Sequence, residues 1–352
     1  MAAPNQVKRS VSLYSLQEEY YYGRLDLEGC LRAVASTGAT GVEVLAEAMF
    51  PDFPGPSPAF EAQWFGWLAK YGLTPTCYDA FLESKLYRNR VLTLREQVAM
   101  TERDIRLAAR FGFKTLRTLC STPLEVIEGS LACAEKEGIT ICLEVHAPFA
   151  LDSEWSDLYL EMIRKTGTKH FGFMPDFGMF YRNMPPIARA QALRKGAHPD
   201  LLRRVDEAFA ERVEKGFVHI RYSLDLAAAN SAYRRENGMF DLKEKLVPLG
   251  ANDADLGYLF MSYNFTWNDP SVVTRNIAHI HHTHAKFHEV DEQYVDATTP
   301  LPQVLAAYVA GSYDGYISSE YEGNSSLNDA LPVDSVEQVR RQQEAMRRIL
   351  EA

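Results

Sequence analysis

Four runs of the sequence each hold a hard metal ligand among residues that read as β-strand. ITICLEVHAPF (139–149) carries Glu144, with His146 two residues on, and strand alternation puts both on one face. FGFMPDF (171–177) carries Asp176. IHHTHAKF (280–287) carries His282 and His284, with Lys286 continuing their face, and GYISSEYE (315–322) carries Glu320 and Glu322. One Glu, one Asp, one His and one Glu make a mixed oxygen and nitrogen shell. Such a shell suits manganese (Mn2+), or Mg2+ or Fe2+ in its place, better than a metal that prefers thiolates. Alone, each residue reads as a core histidine with satisfied hydrogen bonds or as a solvated carboxylate. Buried together, they would be very costly without a cation. Parity puts His281 on the opposite face, but spacing leaves two choices open: His282 or His284, and Glu320 or Glu322.

These groups converge only if their strands lie side by side and end at the same edge. The rest of the chain supplies that arrangement. Strand-like runs at 11–16, 41–46, 74–81 and 114–120 precede the four already named, giving eight in all. Helical periodicity separates them at 27–39, 57–71, 92–110, 123–136, 158–165 and 301–310, and a last helix covers 335–350. Strands alternating with helices imply parallel pairing with right-handed crossovers. Eight such units predict a single (β/α)8 TIM-barrel domain over residues 1–352, whose active site would lie at the C-terminal strand ends. A doubly wound sheet is less apt, because no glycine-rich turn follows the first strand.

Residues 181–276 exceed what a barrel needs. They contain helical runs (186–195 and 200–215) and an aromatic stretch with Tyr258, Phe260, Tyr263, Phe265 and Trp267. They read as a long, mostly helical insertion after the sixth strand. Rising from the catalytic face, it would serve as a lid, a substrate wall or a subunit interface. Tyr14, Gln17, Glu18 and Tyr20–Tyr22 leave the first strand on the same side and could form a sugar-binding wall. Arg117, on the fourth strand, reads equally as a substrate anchor and as a core ion pair.

With 37 basic and 47 acidic residues the net charge is −10, which disfavours nucleic acid and anionic membranes as partners. Hydrophobic residues make up 46% of the 352, ordinary for a chain that buries a large core. The five cysteines include no C-x-x-C pair, which suits a reducing compartment. No apolar run reaches membrane-spanning length, and the N-terminus has no signal-like apolar stretch, so a cytoplasmic protein is expected.

The set of E-x-H, D, H-A-K and E-x-E on strands five to eight resembles the xylose-isomerase-like TIM barrels, the sugar isomerase and epimerase superfamily. That resemblance implies one divalent metal held by Glu144, Asp176, His284 (the His of H-x-K) and Glu320. One motif departs: many members have a His three residues after the Asp, where this chain has Met179. The departure counts against plain ketose epimerisation and against a multi-metal nuclease site. SLYSLQEEYYYGRLDLEGCL, LEVHAPF, HTHAKF and the long sixth loop are most similar to the alpha subunits of bacterial C-glycoside deglycosidases. Those act with a small beta subunit, in a hetero-oligomer, on C-glycosides (flavone C-glucosides, for example) already oxidised to a ketone at the sugar's third carbon.

The implied chemistry suits these residues. A carbon–carbon glycosidic bond has no bridging oxygen to protonate, so paired-carboxylate hydrolysis is closed to it. A ketone at the third carbon acidifies the proton on the second. Removing that proton lets the aglycone depart by β-elimination, with a divalent cation as Lewis acid. His146 is the expected base, and Lys286 or His282 the expected support for charge on the leaving phenolic group. The alternative is a metal-dependent sugar or inositol isomerase, epimerase or dehydratase; a further rival is a barrel kept only as a binding subunit.

Overall fold

The computed structural model describes residues 6–323 and 333–352. Eight strands form one parallel sheet: β1 (Lys8–Ser12), β2 (Gly41–Leu45), β3 (Thr74–Asp79), β4 (Thr115–Thr118), β5 (Thr140–Val145), β6 (Phe171–Pro175), β7 (Thr283–Phe287) and β8 (Tyr316–Tyr321). Their order is β6-β5-β4-β3-β2-β1-β8-β7, the cyclic order of a (β/α)8 barrel. The seam between β6 and β7 is drawn shut by single bridges, Phe173 to Ile280 and Asp176 to His284. Gly172 allows that approach, since a Cβ there would lie 2.2 Å from the His281 ring and 2.5 Å from the His279 carbonyl oxygen.

Local chemistry sets the helix limits. Ser57 caps the helix Pro58–Tyr71 by accepting from the Phe60 N–H, and Gly72 ends it at φ 66°, a conformation that suits glycine. Thr93 and Glu96 close a capping box ahead of Leu94–Arg110. The closing helix Ser335–Leu350 buries Val339, Gln342, Gln343 and Met346, spaced to lie on one stripe.

Strand boundaries are shorter than the apolar runs suggest. The first run, expected at 11–16, is a strand only to Ser12 and then turns into a 3₁₀ segment, Leu13–Leu16. The seventh begins at Thr283, not at residue 280, because Ile277–His279 forms a 3₁₀ turn and a single isolated bridge, at Ile280, precedes Thr283. Hydrophobicity marks burial, whereas a strand also needs ladder hydrogen bonds, and at the rims these give way to turns.

The apolar core lies between strands and helices, where Ile141, Leu143 and Val145 of β5 meet Trp155 and Tyr159 of the following helix. Inside the barrel a small apolar group, Cys77, Cys142 and Met174, sits apart from it. The remaining inward side chains are largely polar: Ser10, Glu43, Asp79, Arg117, Glu144, Asp176, His282, His284, Lys286, Ser318 and Glu320 are all buried. Between β6 and β7 the chain folds into helices Pro186–Arg194, Pro199–Lys215, Leu226–Glu236, Met239–Leu246, Asp253–Met261 and Ser271–Asn276. Among the described residues, no helix is long and apolar enough to cross a membrane.

Candidate active site at the mouth of the barrel

Glu144 on β5, Asp176 just past β6, His284 on β7 and Glu320 on β8 come together, with one donor atom from each lying within 4.8 Å of the others. Each is buried. His284 Nδ1 lies 3.0 Å from Glu144 Oε1 and 3.3 Å from Glu320 Oε1. Asp176 is held in place by accepting from the Gly178 N–H at 2.7 Å through Oδ1. Among the described residues its Oδ2 and Glu320 Oε2 have no hydrogen-bond partner, although Lys286 Nζ lies 3.1 Å from the first and 3.9 Å from the second.

The electrostatics describe a site rich in negative charge. Burial, reinforced by Glu144 and Asp176, holds the Glu320 carboxyl well above the usual range despite His284 and Lys286. Burial opposes charge on His284 as well, yet Glu320, Glu43 and Glu144 raise its pKa far above that of free imidazole. For Glu144, burial is outweighed by the Arg117 guanidinium and then by His284, so its pKa falls. Three carboxylates facing one imidazole, two of them with an unpartnered oxygen, fit a divalent cation that would replace the protons this set otherwise holds.

Glu43, on β2, was absent from the ligand set read from sequence, and it explains the posture of His284. Its Oε1 lies 2.5 Å from His284 Nε2 and its Oε2 2.7 Å from His282 Nε2. A carboxylate taking the Nε2 proton leaves Nδ1 aimed at the quartet, the usual way a ligating imidazole is oriented. Glu43 lies between valines in GVEVLA, so a charged residue inside a β-branched run was the available signal. Asp79 and Arg117 were the other interior residues to place. Arg117 lies 3.3 Å from Asp79 Oδ1 and 3.7 Å from Glu144 Oε2, which makes it a core ion pair and not an exposed anchor.

His282 takes a different place from the one expected. It lies deeper than His284, bound to Glu43 and 3.2 Å from Ser318 Oγ, with a neighbouring Cys77. It is thereby tied to orienting Glu43 and does not line the cavity at the mouth. Lys286 is also engaged: besides Asp176 and Glu320 it lies 3.3 Å from Glu322 Oε1. A lysine shared among three carboxylates neutralises them and has little reach left for a leaving group.

His146 and Glu322, each two residues past a member of the quartet, line a cavity of about 440 Å³ together with Cys120, His288, Phe265 and Met261 among others. His146 is half-buried, and its Nδ1 lies 2.5 Å from the Ala147 carbonyl oxygen. A carbonyl only accepts, so Nδ1 carries the proton and Nε2 of the neutral ring is the free acceptor. His288 shares strand parity with His282, His284 and Lys286, a spacing legible in HTHAKFH. Burial pushes its pKa down to about 4. The aromatic stretch divides. Tyr258 and Tyr263 bond within their own segment, to Asp206 and to the Asn237 carbonyl oxygen. Phe265 instead stacks on Tyr181 at 4.6 Å and lines the cavity. Gln17, Glu18 and Tyr20–Tyr22 line a separate cleft with Ala48 and Met49.

Residues 31–220 match the family described as xylose isomerase-like TIM barrel. A C-glycoside deglycosidase alpha subunit from Arthrobacter globiformis is 29% identical over 322 residues, covering 90% of this chain and 84% of that protein. A 3'-dehydrocarminate deglycosidase alpha subunit from a Microbacterium species is 25% identical, covering 89% and 87%. Among solved structures, a D-psicose 3-epimerase crystallised with D-fructose superposes with a TM-score of 0.56 at 13% identity, over 98% of this chain and all of that one. At that identity the likeness is one of fold.

Proposed function

The chain belongs to the xylose isomerase-like TIM-barrel family, and from that premise we propose that it cleaves the carbon–carbon glycosidic bond of 3-oxo-C-glycosides. The observation that carries this reading is the buried quartet Glu144, Asp176, His284 and Glu320 next to a cavity lined by His146, two residues past Glu144, whose Nδ1 lies against the Ala147 carbonyl oxygen and leaves Nε2 free to face a substrate. The names of the curated relatives, C-glycoside deglycosidase and 3'-dehydrocarminate deglycosidase alpha subunits, support the substrate class. Their designation as alpha subunits also supports a partner subunit, in this reading a small beta subunit.

In this reading the four residues hold one divalent cation, manganese by the hardness of the set, and the chemistry it supplies is Lewis-acid stabilisation of negative charge. Glu43 orients His284, and Arg117 keeps Glu144 ionised. His146 Nε2 takes the proton from the sugar's second carbon, next to the ketone. The electron pair of that C–H bond becomes the double bond between the first and second carbons. The pair of the glycosidic carbon–carbon bond leaves with the aromatic ring. The ring carbon then regains a proton from His146, so the products are the free aglycone and an unsaturated 3-oxo sugar, with no oxidant consumed. Phe265 and Met261, from the segment after β6, form the wall for a flat aglycone, and the outer face of that segment is the proposed subunit contact.

The test is to mix the chain, purified with its partner, with a 3-oxo-C-glycoside and follow aglycone release with and without chelator. Metal-dependent release is expected, and a His146→Gln complex should retain its metal while turnover falls roughly 100-fold. Absence of release, with epimerisation of free ketoses instead, would replace this reading with the isomerase one. Loss of metal from the His146 variant would make His146 a positioning group.

A further inference from the structure

Cleaving a carbon–carbon bond to a phenolic ring leaves an electron pair on a ring carbon, in the plane of the ring, and a hydrogen bond donated to the adjacent phenolic oxygen stabilises that charge through space and by induction. Something must meet it. Lys286 is shared among Asp176, Glu320 and Glu322, and His282 is bound to Glu43 below the mouth. Neither reaches the cavity wall formed by Phe265 and Met261.

His288 does. It lines the cavity beside Phe265, Glu322 and His146, and its ring stands edge-on to Phe265 at 5.4 Å and to Tyr181 at 5.7 Å. Tyr181 Oη lies 2.8 Å from His288 Nδ1. That hydroxyl is fully buried and makes no other hydrogen bond among the described residues, so its proton has one acceptor, Nδ1. A neutral imidazole that accepts at Nδ1 carries its proton at Nε2. Nε2 makes no hydrogen bond to any described residue. The two histidines of the cavity are therefore opposite tautomers: His146 offers a lone pair at Nε2, and His288 offers an N–H.

Resting on the proposed cleavage reaction, we infer that His288 is the hydrogen-bond donor to the phenolic oxygen beside the scissile bond, with Tyr181 as the positioning residue that fixes its tautomer. It donates without transferring its proton, stabilising charge that exists only as the bond breaks. Its ring stays neutral. The ionisable groups around it are Glu322 after β8, Lys286 from β7, Asp176 after β6, His146 after β5 and the Tyr181 phenol, and burial outweighs their combined pull. A neutral imidazole is the stronger choice here, because an imidazolium would hand over its proton and engage the neighbouring Glu322.

The experiment compares His288→Gln, His288→Leu and Tyr181→Phe in the chain–partner complex, on a 3-oxo-C-glycoside with a free phenol beside the bond. Removal of one such donor costs on the order of 100-fold or more in kcat, so His288→Leu should fall by that much with KM little changed. Glutamine keeps an N–H near the Nε2 position, so His288→Gln should lie within about 10-fold of the parent, as should Tyr181→Phe. Methylating the substrate's phenol should shrink the difference between parent and His288→Leu. Equal losses in the Gln and Leu variants would make His288 a proton carrier and overturn the proposal, as would near-parental rates in both. A second measurement does not depend on turnover. Free aglycone titrated into the parent complex should ionise at lower pH than in water, and His288→Leu should abolish that shift. If the parent released no aglycone, the reaction assigned above would fall, and the same titration would still decide the donor: no difference between parent and His288→Leu would overturn it.

Discussion

Two buried arginines show how differently the barrel and its long sixth loop treat charge. Arg117, inside the barrel, is desolvated, but Asp79, Glu144, Glu320 and Glu43 more than compensate, and its pKa is raised. Arg212, in the helix Pro199–Lys215, is desolvated to a similar extent, and its pKa is lowered because only the Tyr263 and Tyr233 phenols oppose burial. Its guanidinium carbon lies 3.6 Å from the Tyr263 ring centre, and Nη2 donates to the Ser262 carbonyl oxygen at 2.9 Å. The loop arginine is solvated by rings, which ask nothing of the residues around it. The barrel arginine is one member of a network in which each charge sets its neighbour's. Function needs the second kind, because a network can be poised; packing is satisfied by the first.

The largest expected effect breaks the barrel side of that contrast at its centre. Glu144→Ala and Glu320→Ala each remove a proposed ligand and should lose bound metal and turnover by well over 100-fold, read by elemental analysis and aglycone release; loss of even an orienting partner costs roughly 10- to 100-fold. Full metal content in both would show that the quartet is not the site. Next comes Arg117→Met, which leaves Asp79 and Glu144 buried beside each other without their cation. Stability should fall by about 3–5 kcal/mol, measured by denaturant unfolding. The same substitution at Arg212 strands no partner charge and should cost about 1 kcal/mol or less, the loss of a ring contact being offset by relief from desolvation. Equal costs at the two positions would erase the contrast.

The smallest effect is in pH. His288, with a folded pKa of about 4 against an ordinary value near 6.5, binds its proton less readily folded than unfolded. Its contribution to stability is therefore complete above pH ~6.5 and is lost as pH falls toward ~4. Thermal unfolding of the parent should weaken more steeply across that window than that of His288→Gln. Parallel curves would mean that His288 is already charged in the folded protein.

Much of this was legible in the residues. Alternation of apolar runs with helical periodicity announces eight strand–helix units, because period two and period 3.6 are distinct in sequence. The helices 301–310 and 335–350 run in the structure as Leu301–Ala310 and Ser335–Leu350, where N-terminal residues and apolar stripes are unambiguous. Strand parity grouped Glu144 with His146, His282 with His284 and Lys286, and Glu320 with Glu322, since side chains two apart must share a face, but the choice of His284 and Glu320 came from the family resemblance. Parity says nothing about depth along the barrel or about which strands stand opposite. Only closure of the sheet set Glu43 of β2 against His282, just before β7, and His284 of β7, some 240 residues away in sequence, at 2.7 and 2.5 Å. It also seated His282 below the mouth and spread Lys286 over three carboxylates. The identity of each ionisable group is local information, written in the chain. Its protonation and its reach are properties of what the fold packs around it, because burial and neighbouring charge act through space.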